Sequence, residues 1–121
     1  MSCSTNDLKT TNFTGGRYEK AAADYLSRQG YEVIRANYRC SQGEVDLICR
    51  QGGCLVFVEV KYRFGLSMGT PEEAVNWRKQ ERIRKVAAFY MYTFKLPEDT
   101  PCRFDVVSIL GEDIKVIQNA F

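Results

Sequence analysis

The first recurring pattern in the chain is a helical spacing of apolar and small residues, and short apolar runs typical of strands follow it. Gly16 to Gln29 shows the helical spacing, and Gly30 comes next as a residue suited to end a helix. Tyr31 to Tyr38 is rich in aromatic and branched residues, which favours a strand, and the polar segment Arg39 to Gly43 predicts a loop. The first two predicted elements are therefore a helix and a strand.

Two more strands are predicted on either side of a glycine pair. The runs Glu44 to Arg50 and Cys54 to Tyr62 both have strand character, and Gln51-Gly52-Gly53 separates them. Glycine adopts the positive φ angles that a tight hairpin requires. The two runs are therefore predicted to pair as an antiparallel hairpin.

A second helix is predicted from a capping pattern. Thr70 is suited to the N-cap, Pro71 to the first helical position and Glu73 to the third position of a capping box. Helical spacing of apolar residues then continues to about Tyr92.

Two final strands complete the pattern, Cys102 to Leu110 and Asp113 to Ile117, with a Gly111-Glu112 turn between them. The element order αβββαββ predicts one α/β domain over residues 14–121, with a mixed central sheet flanked by helices. Residues 1–13 lack a periodic apolar pattern and are predicted to be a flexible tail.

Composition narrows the possible chemistry. The 121 residues include no histidine, which excludes serine and cysteine triads and most zinc enzymes. The five cysteines are odd in number and show no C-x-x-C spacing, so free thiols are expected. No apolar stretch approaches the roughly 18 residues of a membrane span, and no basic start precedes an apolar run, so we expect a cytoplasmic protein.

The predicted hairpin groups charged residues. With Gly52-Gly53 as the turn, paired residue numbers sum to 105, as in Gln51 and Cys54. Asp46 then lies opposite Glu59, and Glu44 lies opposite Lys61 as its expected partner, all on one face. The other face is apolar or thiol and sets the register by burial: Val45, Leu47, Cys49, Cys54, Val56, Val58 and Val60.

Two carboxylates at opposed positions in a sheet repel each other. Their Cβ atoms are about 4.5–5.5 Å apart, so Asp46 and Glu59 would destabilise the hairpin unless a cation lies between them. Divalent metals such as magnesium prefer carboxylate oxygens, and Lys61 could then activate a water or stabilise charge on a phosphate. The alternative is a solvated network in which Lys61 neutralises the nearer carboxylate.

Asp46 followed by Glu59-Val60-Lys61 resembles the D-(x)n-E-x-K signature of restriction-endonuclease-like, PD-(D/E)xK, metal nucleases. Longer motifs over about residues 15–117 are Gly16-Arg17-Tyr18-Glu19, Gly43-Glu44-Val45-Asp46-Leu47-Ile48, Phe57-Val58-Glu59-Val60-Lys61, Pro71-Glu72-Glu73-Ala74-Val75 and Arg103-Phe104-Asp105-Val106-Val107. Together they resemble the YraN family of small bacterial proteins, which is similar to archaeal Holliday-junction resolvases and RecB-type nucleases. The resemblance implies an αβββαβ nuclease core.

The resemblance also implies roles for single residues. Asp46 and Glu59 match the metal-binding and catalytic carboxylates, and Val60 would offer its backbone carbonyl to the metal. Lys61 matches the catalytic lysine, and Glu19 matches a helix-one glutamate that serves as a further catalytic and metal-site residue. The implied metal is Mg²⁺ or Mn²⁺.

Basic residues near these carboxylates are candidates for contacts with DNA phosphates. The net charge is only +2, so a nucleic-acid partner must be argued from local clusters. Lys79 falls within the apolar arc of the second helix and Arg82 at its edge, so Lys79 either lays its stem on apolar surface or reaches the carboxylates or a phosphate. Arg39 and Arg63 lie in loops beside the charged hairpin positions. These four residues are the predicted nucleic-acid contacts.

The predicted function is metal-dependent, endonuclease-like hydrolysis of DNA, on branched or otherwise structured substrates. The alternative is a catalytically inactive module on the same fold that binds nucleic acid or protein. Resolvase-like action on a four-way junction would require a symmetric homodimer. Arg78, Arg84 and Lys85 are assigned to a solvated face, and Trp77 is assigned to the core without a function.

Overall fold

The computed structural model describes residues 16–63 and 75–121. The predicted tail and the capping box at Thr70 to Glu73 lie outside these residues. The elements follow the predicted order αβββαββ: α1 (Arg17–Arg28), β1 (Glu32–Cys40), β2 (Gly43–Gln51), β3 (Cys54–Arg63), α2 (Trp77–Thr93), β4 (Cys102–Leu110) and β5 (Asp113–Ile117).

Within the described residues, five strands form one mixed sheet in the order β1-β2-β3-β4-β5. β3 and β4 are parallel, whereas the other neighbouring strands are antiparallel. A parallel pair requires a crossover connection, and α2 lies in the chain between β3 and β4. The predicted mixed sheet with flanking helices is therefore confirmed.

Each helix covers one face of the sheet with its own apolar layer. The α1 layer includes Ala22, Leu26, Leu47, Cys49, Val56, Val58 and Val107. The α2 layer includes Ile48, Phe57, Val75, Ile83, Val86, Tyr90 and Val106. Because both faces are covered, a polar side chain on β2 or β3 reaches solvent only near the strand ends or beside a helix.

The start of α2 differs from the prediction. The helix begins at Trp77, and the side chain of Asn76 accepts a hydrogen bond from the Lys79 N–H at 2.9 Å, so Asn76 is the N-cap. Val75 is non-helical and buried in the α2 layer. A single helix running from Thr70 to Tyr92 is therefore wrong, since the Asn76 cap starts a helix in the middle of that range.

The predicted loop between the first two strands is shorter than expected. β1 continues to Cys40 and β2 begins at Gly43, which leaves a turn of two residues, Ser41 and Gln42. The predicted turn at Gly111-Glu112 between the last two strands is confirmed. The cysteines among the described residues are free thiols, in line with the expectation from their spacing.

A buried network of charged and polar side chains surrounds one carboxylate of β4. Asp105 on β4 is fully buried, forms an ion pair with Arg103 at 2.9 Å and accepts a hydrogen bond from the Asn119 N–H. The Tyr31 hydroxyl donates to the same carboxylate at 2.7 Å, and burial is the main cause that raises the pKa of Tyr31 to about 12. The network therefore joins the α1–β1 junction to β4 and the C-terminal segment.

Among the described residues, no helix has the length and apolar character needed to cross a membrane.

Replacement of Asp105 by alanine should lower the free energy of unfolding by about 3–5 kcal/mol, because it leaves the Arg103 guanidinium and the Tyr31 hydroxyl without their buried acceptor. Urea denaturation followed by circular dichroism measures this loss. Glu32→Ala is the control, since it removes only the exposed 3.8 Å pair with Arg50 and should hardly move the midpoint. Equal effects of the two substitutions would contradict a supporting role for the network.

Candidate functional site

The hairpin register places the two predicted metal carboxylates at the end of the β2–β3 ladder. Five cross-strand pairs, from Gln51–Cys54 to Leu47–Val58, keep the predicted sum of 105. Asp46 and Glu59 are the next residues on the two strands. There the Val60 N–H donates a hydrogen bond to Asp46 Oδ2 at 2.8 Å, so the side chain of Asp46 is bonded to the backbone of β3.

The strands rotate at this point, which the period-two pattern does not predict. Val45 packs in the α2 layer, whereas Leu47 packs in the α1 layer, although residues two apart normally share a face. Asn37, across from Asp46 in the β1–β2 register, has a positive φ of 54°. The prediction that Val45 shares the face of Leu47 is therefore wrong.

Glu44 is also placed differently from the prediction. It forms an ion pair with Arg39 at 2.9 Å, and both side chains are mostly exposed. These two residues are a cross-strand pair of β1 and β2. The predicted partnership of Glu44 with Lys61 is wrong, because Arg39 on the neighbouring strand is its partner.

Glu59 lies between two lysines. Its side chain is 5% exposed, and its Oε2 atom is 2.9 Å from the Lys79 Nζ and 3.8 Å from the Lys61 Nζ. Of the interpretations of Lys79, its reach to the carboxylate cluster is confirmed at Glu59, and its contact with a phosphate stays a prediction. α2 thus supplies a cation to a carboxylate of β3 across the sheet face.

Asp46 carries the most perturbed carboxyl group of the site. Burial raises its pKa to about 7, and the neighbouring charge of Glu59 and a smaller contribution from Glu19 act in the same direction. The hydrogen bond from Val60 and the charge of Lys79 act in the opposite direction. Strong perturbation by burial and a like charge is typical of functional carboxylates.

Asp46 and Glu59 open into a pocket of about 380 Å³. Its lining consists of Arg39, Cys40, Gly43, Glu44, Asp46, Glu59, Lys79, Arg82 and Ile83. The residue at position 43 must be small, because an added Cβ would come within 2.9 Å of the Arg82 side chain, and its φ is +134°. Three of the predicted phosphate contacts, Arg39, Lys79 and Arg82, therefore face the same pocket.

The last two predicted site residues are Arg63 and Glu19. Arg63 is at the end of β3, paired with Leu110 on β4, and its side chain is outside the described part of the structure. Glu19 folds back over Gly16, where an added Cβ would overlap its carboxylate. Its charge influences Asp46, but no group of three or more acidic or thiol side chains within residues 16–63 and 75–121 is placed to share a metal. The role of Glu19 as a ligand stays a prediction.

The donor set nevertheless fits a magnesium-like ion. Mg²⁺ is usually bound through one or two carboxylates and keeps several waters. Asp46 and Glu59 provide two such carboxylates, side by side, in a pocket with room for water and a phosphate group.

The position of Trp77 contradicts its predicted place in the core, since it is 68% exposed. At 100° per residue it is about 120° away from Ile83, so the helical spacing alone separates it from the buried side of α2. That signal was available in the sequence.

Comparison with known proteins gives both a family and a fold. Residues 18–109 match the model of Uncharacterised protein family UPF0102. A UPF0102 protein of Lachnoclostridium phytofermentans is 54% identical, over 85% of this chain and 87% of the relative. The UPF0102 protein STH1475 of Symbiobacterium thermophilum is 48% identical, over 85% of this chain and 91% of the relative.

A solved structure shares the architecture. Hjc of Archaeoglobus fulgidus, described as a Holliday junction resolvase, superposes with a TM-score of 0.53 at 17% identity, over 86% of this chain and 76% of that chain. The likeness confirms the restriction-endonuclease-like fold that the motifs imply.

Replacement of Asp46 by asparagine should stabilise the metal-free protein increasingly as pH rises from about 4 to 7. The folded-state pKa of about 7 lies above the ordinary 3.8, so the stabilising contribution of the protonated carboxyl is full below pH 3.8 and is lost as pH rises through 7. Above pH 7 we expect a gain of about 1–3 kcal/mol for the variant. Urea denaturation in EDTA across pH 4–8 measures it.

Glu44→Gln is the matched control, because that carboxylate borders the same pocket but is 61% exposed. A stability difference between Asp46→Asn and the unmodified protein that does not change with pH would contradict the environment described for Asp46.

Proposed function

Since the chain belongs to Uncharacterised protein family UPF0102, and its fold gathers Asp46, Glu59 and Lys79 in one pocket with Lys61 beside Glu59, we propose that it hydrolyses phosphodiester bonds of DNA with a divalent metal. The observation that carries this proposal is the placement of the partly buried Asp46 beside the almost fully buried Glu59 in one pocket. Two like charges brought together out of water destabilise a fold, and a cation bound between them would offset that cost.

In this proposal Asp46 and Glu59 hold Mg²⁺ or Mn²⁺, with the backbone carbonyl of Val60 and the carboxylate of Glu19 as further candidate ligands. When bound, such a metal polarises a phosphate oxygen and lowers the pKa of a coordinated water.

The protein's own groups then position the substrate. Arg39 and Arg82 line the pocket and are suited to phosphate oxygens, since guanidinium groups bind them through paired hydrogen bonds. Lys61 lies beside Glu59 and is 29% exposed, so its ammonium can meet a phosphate or assist the attacking water.

The substrate we propose is branched or otherwise structured DNA. Support comes from the neighbour of the same fold, whose description names a Holliday junction resolvase. Cleavage of a four-way junction at symmetric positions would require a homodimer.

Lys61→Ala should reduce metal-dependent cleavage by about 100-fold or more, because a positioned acid, base or charge typically contributes that much. The assay uses end-labelled four-way junctions and linear duplexes of matched length with Mg²⁺, Mn²⁺ or EDTA. Lys115→Ala is the matched control, an exposed lysine on β5 at the far edge of the sheet. Full cleavage by Lys61→Ala would remove Lys61 from the mechanism.

A second outcome would overturn the hydrolase itself. If the unmodified protein gives no metal-dependent product but binds DNA with an affinity that falls as salt rises, the non-catalytic binding module is the correct interpretation.

A further inference from the structure

A groove runs along the solvent side of α2 and begins at the carboxylate pocket. One part, of about 460 Å³, lies between the β1–β2 turn and the first half of the helix and includes Trp77, Arg82 and Lys85. A second part, of about 440 Å³, continues past Lys85 to Tyr92. Arg82 lines both this groove and the carboxylate pocket, so the two are neighbours on the surface.

The groove side of α2 is one stripe of the helix. Its members recur at spacings of four, four, three and four residues: Trp77, Glu81, Lys85, Ala88 and Tyr92. Between Trp77 and Tyr92 the helix rises about 22 Å at 1.5 Å per residue. The stripe is therefore long enough to contact several units of an extended polymer.

The two ends of the stripe present aromatic rings to solvent. Trp77 is 68% exposed and Tyr92 is 84% exposed, whereas the rings on the buried side, such as Tyr90, are in the core. An exposed tryptophan has apolar surface that residues 16–63 and 75–121 leave uncovered. The Arg78 guanidinium lies over the Trp77 ring at 5.9 Å from its centroid, so a positive charge lies beside this apolar surface.

The charges of the groove favour an anionic occupant. Arg78, Arg82 and Lys85 line it, and Glu81 is the acidic residue among its lining residues. Guanidinium and ammonium groups beside exposed rings are the combination by which proteins bind unpaired nucleic-acid strands, since phosphates meet the cations and bases stack on the rings.

We propose that this groove binds an unpaired nucleic-acid strand, with a base stacked on Trp77 and phosphates on Arg78, Arg82 and Lys85. The inference deepens the proposed function and rests on it in one respect, namely that the bound strand leads into the carboxylate pocket. A single-stranded segment accounts for exposed rings because bases paired within a duplex have no free face.

The test uses the fact that Trp77 is the single tryptophan of the chain. In EDTA, a 20-nucleotide single strand should quench the tryptophan emission of the full-length protein to saturation, and a duplex of the same sequence should quench it several-fold less. Equal quenching by both, or saturable binding with unchanged emission, would overturn the proposal.

Variants separate stacking from charge. Measured by anisotropy of a labelled strand, Trp77→Ala should weaken binding by about 5- to 100-fold and Trp77→Phe by less, because phenylalanine keeps a ring. Lys85→Ala should lower the slope of log affinity against log salt by about 0.7. Arg28→Ala on α1, exposed on the other face of the sheet, should leave affinity and slope unchanged, and equal effects of the two charge variants would overturn the assignment.

The outcome is independent of catalysis. Quenching without any metal-dependent cleavage supports the groove and overturns only the hydrolase, whereas cleavage without quenching overturns only the groove. Melting temperatures of the Trp77 variants should match that of the unmodified protein, so loss of binding then reports the loss of the ring and not of the fold.

Discussion

The burial of Asp46 beside Glu59 is the constraint on which the candidate site depends. Two carboxylates in this position oppose folding, and the surrounding structure offsets them with specific partners. Lys79 approaches Glu59 at 2.9 Å, and Val60 donates its N–H to Asp46. Each partner comes from a rigid element, α2 or β3, and the acids are therefore held in place by the fold and not by a loop.

Much of this arrangement could be predicted from short-range rules. The turn at Gly52-Gly53 and the apolar residues that follow it determine the β2–β3 register, and Asp46 and Glu59 come directly after its last pair, Leu47 and Val58. The contact of Lys79 with the site was also predictable in outline, because a lysine on the apolar side of a helix needs a polar partner nearby.

The wrong predictions arise where a local backbone conformation or a competing helix cap overrides the regular spacing of apolar residues. The strand rotation at Asp46 coincides with the positive φ of Asn37 on the neighbouring strand, and a pattern along β2 alone carries no sign of it. The start of α2 was misplaced because two good caps, Thr70 and Asn76, lie six residues apart in the sequence, and the burial of Val75 in the α2 layer goes with the second. Tertiary packing thus settled choices that local propensity left open.

The low net charge of +2 conceals a basic surface. Asp105 and Glu59 are almost fully buried and paired with an arginine and lysines, so these acids and their partners largely cancel each other in the field outside. Arg78 and Lys85 are exposed on one side of a single helix. Because the field at a surface follows the exposed charges nearest to it, α2 presents a positive potential to an approaching polyanion even though the acids and bases of the whole chain nearly balance.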